Sequence, residues 1–200
     1  MPTHCKSWKT RDTRMIDVKD IPILNNCLCT LKETSLDTEN GCYMTDSTLE
    51  VCYFDEVVKK YAKSLTVNTP KSCDAFYIHD NNVIYIIEFK NGKIDKIDQP
   101  EKSKEMSKIR EKIFASLLIL TDITQTNISC TRQSLNYILV YNETKNPSRI
   151  SIGKSVSKKG NENFIRFGLA RFKGLYFKNV FTVSPKEFED DFVKKWAASR

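Results

Sequence analysis

Glycine, proline and histidine are scarce in this chain, and the scarcity argues against several classes of protein. Six glycines and six prolines in 200 residues leave no Gly/Ser/Pro-rich linker or low-complexity tract. The only histidines are His4 and His79, and Cys27-Leu28-Cys29 lacks the two-residue gap of a zinc knuckle, so a zinc site is not expected. Gly153-Lys154-Ser155 lacks the upstream glycine of a P-loop, which argues against nucleotide binding of that type.

Long apolar segments are also absent. The longest run extends from Ile113 to Leu120 and is interrupted by Ser116, far short of the ~20 residues of a membrane span. The opening residues, MPTHCKSWKT, contain no apolar signal-peptide core. The seven cysteines are odd in number and scattered, a pattern typical of free thiols in a reducing compartment. We therefore expect a soluble, cytoplasmic protein without a membrane partner.

Basic residues exceed acidic ones, and the excess is concentrated late in the chain. Lysine and arginine total 32 against 25 aspartates and glutamates, a formal charge of +7. Nine basic residues occur between Lys145 and Lys178, where Glu162 is the one acid and five aromatic residues are interspersed. Such a mixture can bind phosphates and stack on exposed bases, although a solvated basic loop is the alternative. The predicted nucleic-acid contacts are Lys154, Lys158, Lys159, Arg166, Arg171 and Lys173.

The apolar pattern predicts an α/β fold, in which helices flank a central mixed β-sheet. Helical spacing indicates helices over 46–64, 98–120 and 184–196, with Asp98 and Ser184 as N-caps of the last two. Runs of β-branched and aromatic residues indicate strands over 73–79, 83–90, 135–141 and 180–183, while 164–172 fits either a strand or a helix.

We expect these elements to form a single domain. Residues 1–45 hold few clear patterns, residues 46–141 form a core, and residues 142–200 are a basic C-terminal extension. The strand over 83–90 is apolar on both faces, which is typical of a central strand that is covered on both sides.

Two charges stand at the end of this apolar strand. Glu88 and Lys90 are two residues apart and so project from the same face. Burying them is costly unless they are paired or hold an ion. If the hairpin loop is 80–82, residues whose numbers sum to 162 lie opposite each other, and Asp74 pairs with Glu88. Two carboxylates would then meet beside a lysine, an arrangement that suits Mg²⁺.

Asp74, the hairpin and Glu88-Phe89-Lys90 resemble the motif of the PD-(D/E)xK nuclease superfamily, which has the restriction-endonuclease-like fold. The resemblance covers roughly residues 46–141 and implies an αβββαβ core. It implies that Asp74 and Glu88 bind Mg²⁺, for which Mn²⁺ can substitute, and that Lys90 helps to activate water. The sequence departs from the family at Cys73, where a proline commonly precedes the first acid.

Glu50 is a further candidate for catalysis. It shares a helical spacing with Phe54 and Val57, so it belongs to the apolar stripe of the first predicted helix, whereas Asp55 does not. In the resembled family an extra acid from this helix often lies near the metal. The alternative is a glutamate that the helix dipole favours in the first turn.

These residues lead to one expected function and two alternatives. The expected protein is a Mg²⁺-dependent nuclease that cleaves phosphodiester bonds, with DNA favoured over RNA and endonuclease over exonuclease activity. One alternative is a non-catalytic nucleic-acid-binding domain that retains the fold. The other is a protein-interaction domain in which Asp74, Glu88 and Lys90 form a structural ion cluster. The sequence is also compatible with a homodimer.

Overall fold

In the computed structural model, which describes residues 21–79, 83–147 and 164–198, the chain folds around a six-stranded sheet of order β1-β4-β5-β6-β7-β8. The strands are β1 (Leu28–Thr30), β2 (Leu36–Asp37), β3 (Cys42–Tyr43), β4 (Glu50–Tyr53), β5 (Ala75–His79), β6 (Val83–Lys90), β7 (Leu135–Tyr141) and β8 (Asn179–Val183). The helices are α1 (Pro22–Asn25), α2 (Leu31–Thr34), α3 (Phe54–Ser64), α4 (Lys104–Ile123), α5 (Ile128–Ser134), α6 (Pro185–Phe188) and α7 (Lys194–Ala198), with 3₁₀ turns at Pro100–Lys102 and Leu169–Phe172 and a π-helical stretch at Glu189–Val193.

The sheet is mixed, which confirms the predicted α/β class. The pairs from β1 to β6 are antiparallel, whereas β7 lies parallel to β6 and β8 parallel to β7. The hairpin has the predicted register, since Ala75 pairs with Ile87 and Phe76 with Ile86. All seven residues of β7 are buried, as expected for a parallel strand that is covered on both faces.

Each face of the sheet carries its own hydrophobic core because successive strand residues point to opposite sides. On one face, α3 and α4 cover residues such as Phe76 and Ile86. On the other face, the C-terminal helical segment covers Ile87 and Ile138. His79 faces this second side, with its ring centroid 6.4 Å from that of Trp196.

Helix α4 is the longest element and packs its apolar stripe on the sheet. Met106, Ile109, Ile113 and Leu117 are buried, whereas Phe114 is 39% exposed. No single helix in the described segments is long and apolar enough to cross a membrane. Helices α4 and α5 satisfy the length and composition of a span only as a pair bent by 105°.

Helices α3 and α4, which correspond to the first two predicted helices, begin later in the chain than the spacing predicts. Residues 50–53 form strand β4, which lies between β1 and β5, so that pairing with two strands outweighs the local helical pattern. Helix α4 is capped by Ser103, whose hydroxyl accepts from Met106 N at 3.0 Å, and not by Asp98. Pro100 lies in the preceding 3₁₀ turn.

The C-terminal segment belongs to the sheet and is more than a basic extension. Strand β8 adds the sixth strand, and the predicted cap at Ser184 forms a capping box with Glu187. The ambiguous stretch 164–172 is a loop that ends in a 3₁₀ turn. The segment before 46 also joins the sheet, through β1.

The cysteines only partly meet the expectation of free thiols. Cys27, Cys29, Cys42, Cys52 and Cys73 are free. The remaining cysteine in the described segments, Cys130, is disulfide-bonded, which contradicts that expectation for this residue.

Candidate active site

Asp74 and Glu88 meet on one face of the hairpin, as predicted. Asp74 directly precedes β5, and its amide donates to Ile87 O at 3.0 Å while its Oδ2 accepts from Phe89 N at 2.6 Å. This pairing places Asp74 opposite Glu88. The ammonium of Lys112 joins the two carboxylates, with Nζ lying 3.2 Å from Asp74 Oδ1 and 2.8 and 3.0 Å from the two oxygens of Glu88.

Lys112 was not among the predicted site residues. It lies on α4, which runs antiparallel to β6 across this face, so that Glu105 meets Lys90 and Lys112 meets Glu88 two helical turns later. The side chain of Lys112 is 24% exposed. Its position next to the buried Ile113 is a sequence signal that could have identified it as partly buried, although not its partners.

Lys90 lies further along the same face and has a different partner. Its Nζ is 2.6 Å from Glu105 Oε2, and Glu105 also binds Lys108 at 2.7 Å. Gly92 gives the lysine room, because a Cβ added there would come within 3.3 Å of Lys90 Cε and Nζ. In this structure Lys112, rather than Lys90, is therefore the ammonium in contact with the two carboxylates.

The acid that α3, the first predicted helix, contributes to the site is Asp55 and not Glu50. Glu50 lies on strand β4, where it is exposed and pairs in register with Thr30, so the predicted helical stripe through it does not exist. Asp55 lies in the first turn of α3 and accepts a short hydrogen bond from the Ser72 hydroxyl. A backbone hydrogen bond holds the start of α3 next to the site, since Phe54 N donates to Asp74 O at 2.9 Å.

Burial and like charges raise the pKa values of both carboxylates. Burial raises the pKa of Asp74 to about 6, an effect that Lys112 opposes and Asp55 strengthens. Burial, followed by the charge of Asp74, raises the pKa of Glu88 well above its ordinary value. Burial alone would lower the pKa of Lys112, but Glu88 and Asp74 outweigh it, so this pKa is raised. Two carboxylates therefore share one ammonium, and a third acid, Asp55, lies near enough to raise the pKa values of both.

The inner end of the cluster is fully buried. Ser116 Oγ accepts from Cys73 N at 2.8 Å beneath the carboxylates. The hydroxyl of Tyr137 is buried and has no hydrogen-bond partner in the described part of the chain. Burial, together with the nearby Cys73 and Glu88, raises the pKa of this phenol. Such surroundings strengthen every charge interaction at the site.

The predicted basic contacts are spread over different environments. Lys154, Lys158 and Lys159 lie outside the described residues. Arg166 is only 7% exposed, and its guanidinium donates to the carbonyls of Asn146 and Pro147, which gives it a structural role. The remaining two, Arg171 and Lys173, are exposed at the 3₁₀ turn and directly after it.

The donor set at the carboxylates fits Mg²⁺ better than a metal with a closed protein cage. Among residues 21–79, 83–147 and 164–198, no group of three or more His, Cys, Asp or Glu side chains is arranged to hold a metal. Mg²⁺ usually takes one or two carboxylates and completes its shell with water and substrate phosphate. Asp74 and Glu88 already converge on one cation, the ammonium of Lys112.

No protein-family model, curated protein or solved structure matches the chain. The resemblance to the PD-(D/E)xK superfamily is therefore a prediction from Asp74, Glu88, Lys90 and the hairpin that carries them. Any proposal about function has to be argued from the geometry of these residues and their neighbours.

Proposed function

We propose that this protein is a Mg²⁺-dependent nuclease that hydrolyses phosphodiester bonds of nucleic acid. The observation that carries the proposal is the convergence of Asp74 and Glu88 on one cation at a site that solvent reaches. The side chains of Asp74 and Lys112 are 13% and 24% exposed, whereas that of Glu88 is 3% exposed. A buried acid beside a more accessible one is an arrangement that perturbs pKa values at functional sites.

A restriction-endonuclease-like core is part of the proposal. Helix α3, the β5–β6 hairpin, α4 and β7 follow one another in the order that the resemblance implies. The third antiparallel strand, β4, precedes α3 instead of following it, yet it lies beside β5 in the sheet. The proposed core therefore keeps the neighbours of the motif strands and departs from αβββαβ in the chain order of one strand.

Each residue of the cluster has a proposed role. Asp74 and Glu88 would hold Mg²⁺, which, when bound, polarises a phosphate and lowers the pKa of a water ligand. Lys112 lowers the pKa values of both acids against the larger effect of burial, and its ammonium can stabilise negative charge on the phosphate. Lys90, oriented by Glu105, supplies a second positive group on the same face and is the lysine that the motif assigns to water activation.

The experiment is a cleavage assay on plasmid, linear duplex, single-stranded DNA and RNA, each with Mg²⁺, Mn²⁺ or EDTA. Glu88→Gln is expected to lower cleavage roughly 100-fold or more, because it removes a ligand charge. Glu101→Gln, the same change at an exposed residue, is the control and should cut at the wild-type rate. Cleavage that persists in EDTA, or a Glu88→Gln variant with full activity, would contradict the proposal.

Two lysine variants separate the roles of the ammonium groups. Lys90→Ala should lower cleavage roughly 100-fold if Lys90 assists the nucleophile as the motif implies. If Lys90→Ala keeps the wild-type rate and Lys112→Gln does not, the role belongs to Lys112. A protein that binds nucleic acid, cuts none of these substrates and binds Mn²⁺ equally well with Glu88→Gln would instead be a non-catalytic binding domain.

A further inference from the structure

A groove of about 780 Å³ opens beyond the carboxyl ends of the parallel strands β6 and β7. Three segments line it, 93–98 after β6, 145–147 after β7, and 164–168 before the second 3₁₀ turn. Its volume lies within the range of about 300–1,000 Å³ that is typical of ligand sites. In open α/β sheets, ligands bind outside the carboxyl ends of the strands, where this groove is found.

Asn146 joins the first two segments of the groove. This residue is fully buried, and its Oδ1 accepts from Ile94 N at 2.7 Å. Its Nδ2 donates to Gly92 O at 3.1 Å and to Asn142 O at 2.9 Å. The contacts with Ile94 and Gly92 therefore hold the loop after β6 against the loop after β7, while the contact with Asn142 lies within the loop after β7.

Arg166 joins the third segment to the second. Its guanidinium donates to Asn146 O at 2.9 Å and lies over the rings of Tyr141 and Phe167, 4.8 and 4.6 Å from their centroids. Phe167 has a φ of 60°, a left-handed conformation that an aromatic residue rarely adopts and that must be held by its surroundings. The walls of the groove are thus preorganised, which reduces the entropy lost when a ligand binds.

The lining combines free positive charge with apolar surface. Lys93, Lys96 and Lys145 are exposed, and in the described part of the chain none of the three forms an ion pair. Asp98 is the one acid in the lining. Phe164 is 56% exposed and presents an aromatic surface to the groove. A ligand that matches this lining carries both a negative group and a flat apolar group.

We propose that this groove binds a nucleoside phosphate as an unpaired nucleotide of a nucleic-acid strand, with its base on Phe164 and its phosphates on Lys93 and Lys145. Stacking on an aromatic side chain requires a base that is not stacked within a duplex. Lys93 is five residues from Glu88, so their Cα atoms are at most about 18 Å apart, and one strand can reach both sites. This last step rests on the proposed nuclease function, whereas the binding itself does not.

The first test measures binding of a fluorescent single-stranded oligonucleotide in EDTA, so that no cleavage intervenes, over a range of salt concentrations. Each phosphate contact on a single strand contributes about −0.7 to the slope of log K against log salt. The double variant Lys93→Ala/Lys145→Ala should therefore flatten this slope by about 1.4. The control is Lys60→Ala/Lys63→Ala, which removes the same charge from exposed lysines of α3 outside the groove and should leave the slope unchanged. An equal effect of both double variants would overturn the proposal.

The second test addresses the base. Phe164→Ala should weaken binding of the oligonucleotide about 5-fold or more, because stacking on an aromatic side chain is lost, whereas Phe164→Trp should retain binding. Leu118→Ala, at another exposed apolar residue, is the matched control. Wild-type affinity in Phe164→Ala would overturn the assignment of the base.

Two competing ligands decide the source of the nucleotide. Binding of the single strand should exceed that of a blunt duplex of the same length and that of free AMP. Equal affinity for the duplex would contradict the claim that the groove takes an unpaired nucleotide. Equal affinity for AMP would contradict the claim that the nucleotide belongs to a strand. If the wild type cuts no substrate but the groove variants lose binding, only the proposed nuclease function is refuted. If the wild type cuts in a metal-dependent way but the groove variants bind normally, only the proposed nucleotide site is refuted.

Discussion

The substitution Asp74→Asn should raise the free energy of unfolding at neutral pH. The pKa of Asp74 is raised in the folded state from 3.8 to about 6, mainly by burial. Between these values the folded state binds more protons than the unfolded state, so the free energy of unfolding falls as the pH rises. A rise from 3.8 to about 6 corresponds to about 3 kcal/mol of lost stability above pH 7.

The local contacts explain why Asp74→Asn should restore the stability that the buried aspartate costs. The amide oxygen of asparagine can still accept from Phe89 N, which preserves the hydrogen bond at the start of the hairpin. Glu88 then has Lys112 as its own partner, because the second carboxylate that competes for the ammonium is gone. The substitution changes the charge of the cluster without creating a cavity.

The assay is urea unfolding of the wild type and Asp74→Asn between pH 4 and pH 7.5. The variant should be more stable by about 3 kcal/mol at pH 7.5 and by less than about 1 kcal/mol at pH 4, because pH 4 lies close to the unfolded-state pKa of 3.8, where most of the difference has not yet developed. Glu101→Gln, at an exposed residue, should show no such pH dependence. A destabilised Asp74→Asn variant, or a difference that does not change with pH, would refute this reasoning and favour a structural ion cluster.

Two further predictions concern the scaffold. Arg166→Lys should lower the free energy of unfolding by about 2 kcal/mol in urea, because an ammonium cannot replace the planar guanidinium that binds two backbone carbonyls and stacks on two rings; an unchanged value would remove Arg166 as the anchor of the groove. Ser184→Ala should cost about 1 kcal/mol by removing the capping box with Glu187, seen as a lower Tm; Ser107→Ala, at an exposed serine within α4, should not lower it, and equal losses would contradict the capping role.

The hairpin and its register could be predicted because they depend on local rules. A side-chain period of two and a loop of known length decide which residues oppose each other. The pairs of the hairpin, such as His79 with Val83, agree with that reasoning. The convergence of Asp74 and Glu88 follows directly from it.

The start of the first helix could not be predicted in the same way. Glu50, Phe54 and Val57 have helical spacing, yet the first of them belongs to a four-residue strand. Strand β4 exists because β1 and β5 pair with it, and these pairings join residues that are distant in the chain. A local pattern therefore selected Glu50, whereas the fold brings Asp55 to the site.

Lys112 could not be predicted for a related reason. It lies 38 residues after Asp74 and 24 after Glu88, on another element. Helical periodicity indicates which side of α4 is apolar, but the helix can slide along the sheet without changing that pattern. The partner of the carboxylates depends on this packing, which only the structure provides.

The charge balance of the cluster favours function over a purely structural role. Lys112 alone would satisfy Glu88 as a buried ion pair, so the negative charges of Asp74 and Asp55 are not needed to balance that pair. Each added acid raises the pKa of Glu88 and so disfavours the folded, ionised state at neutral pH. A site that gathers negative charge at the expense of stability is suited to a divalent cation. The increase in the free energy of unfolding expected for Asp74→Asn measures that loss of stability.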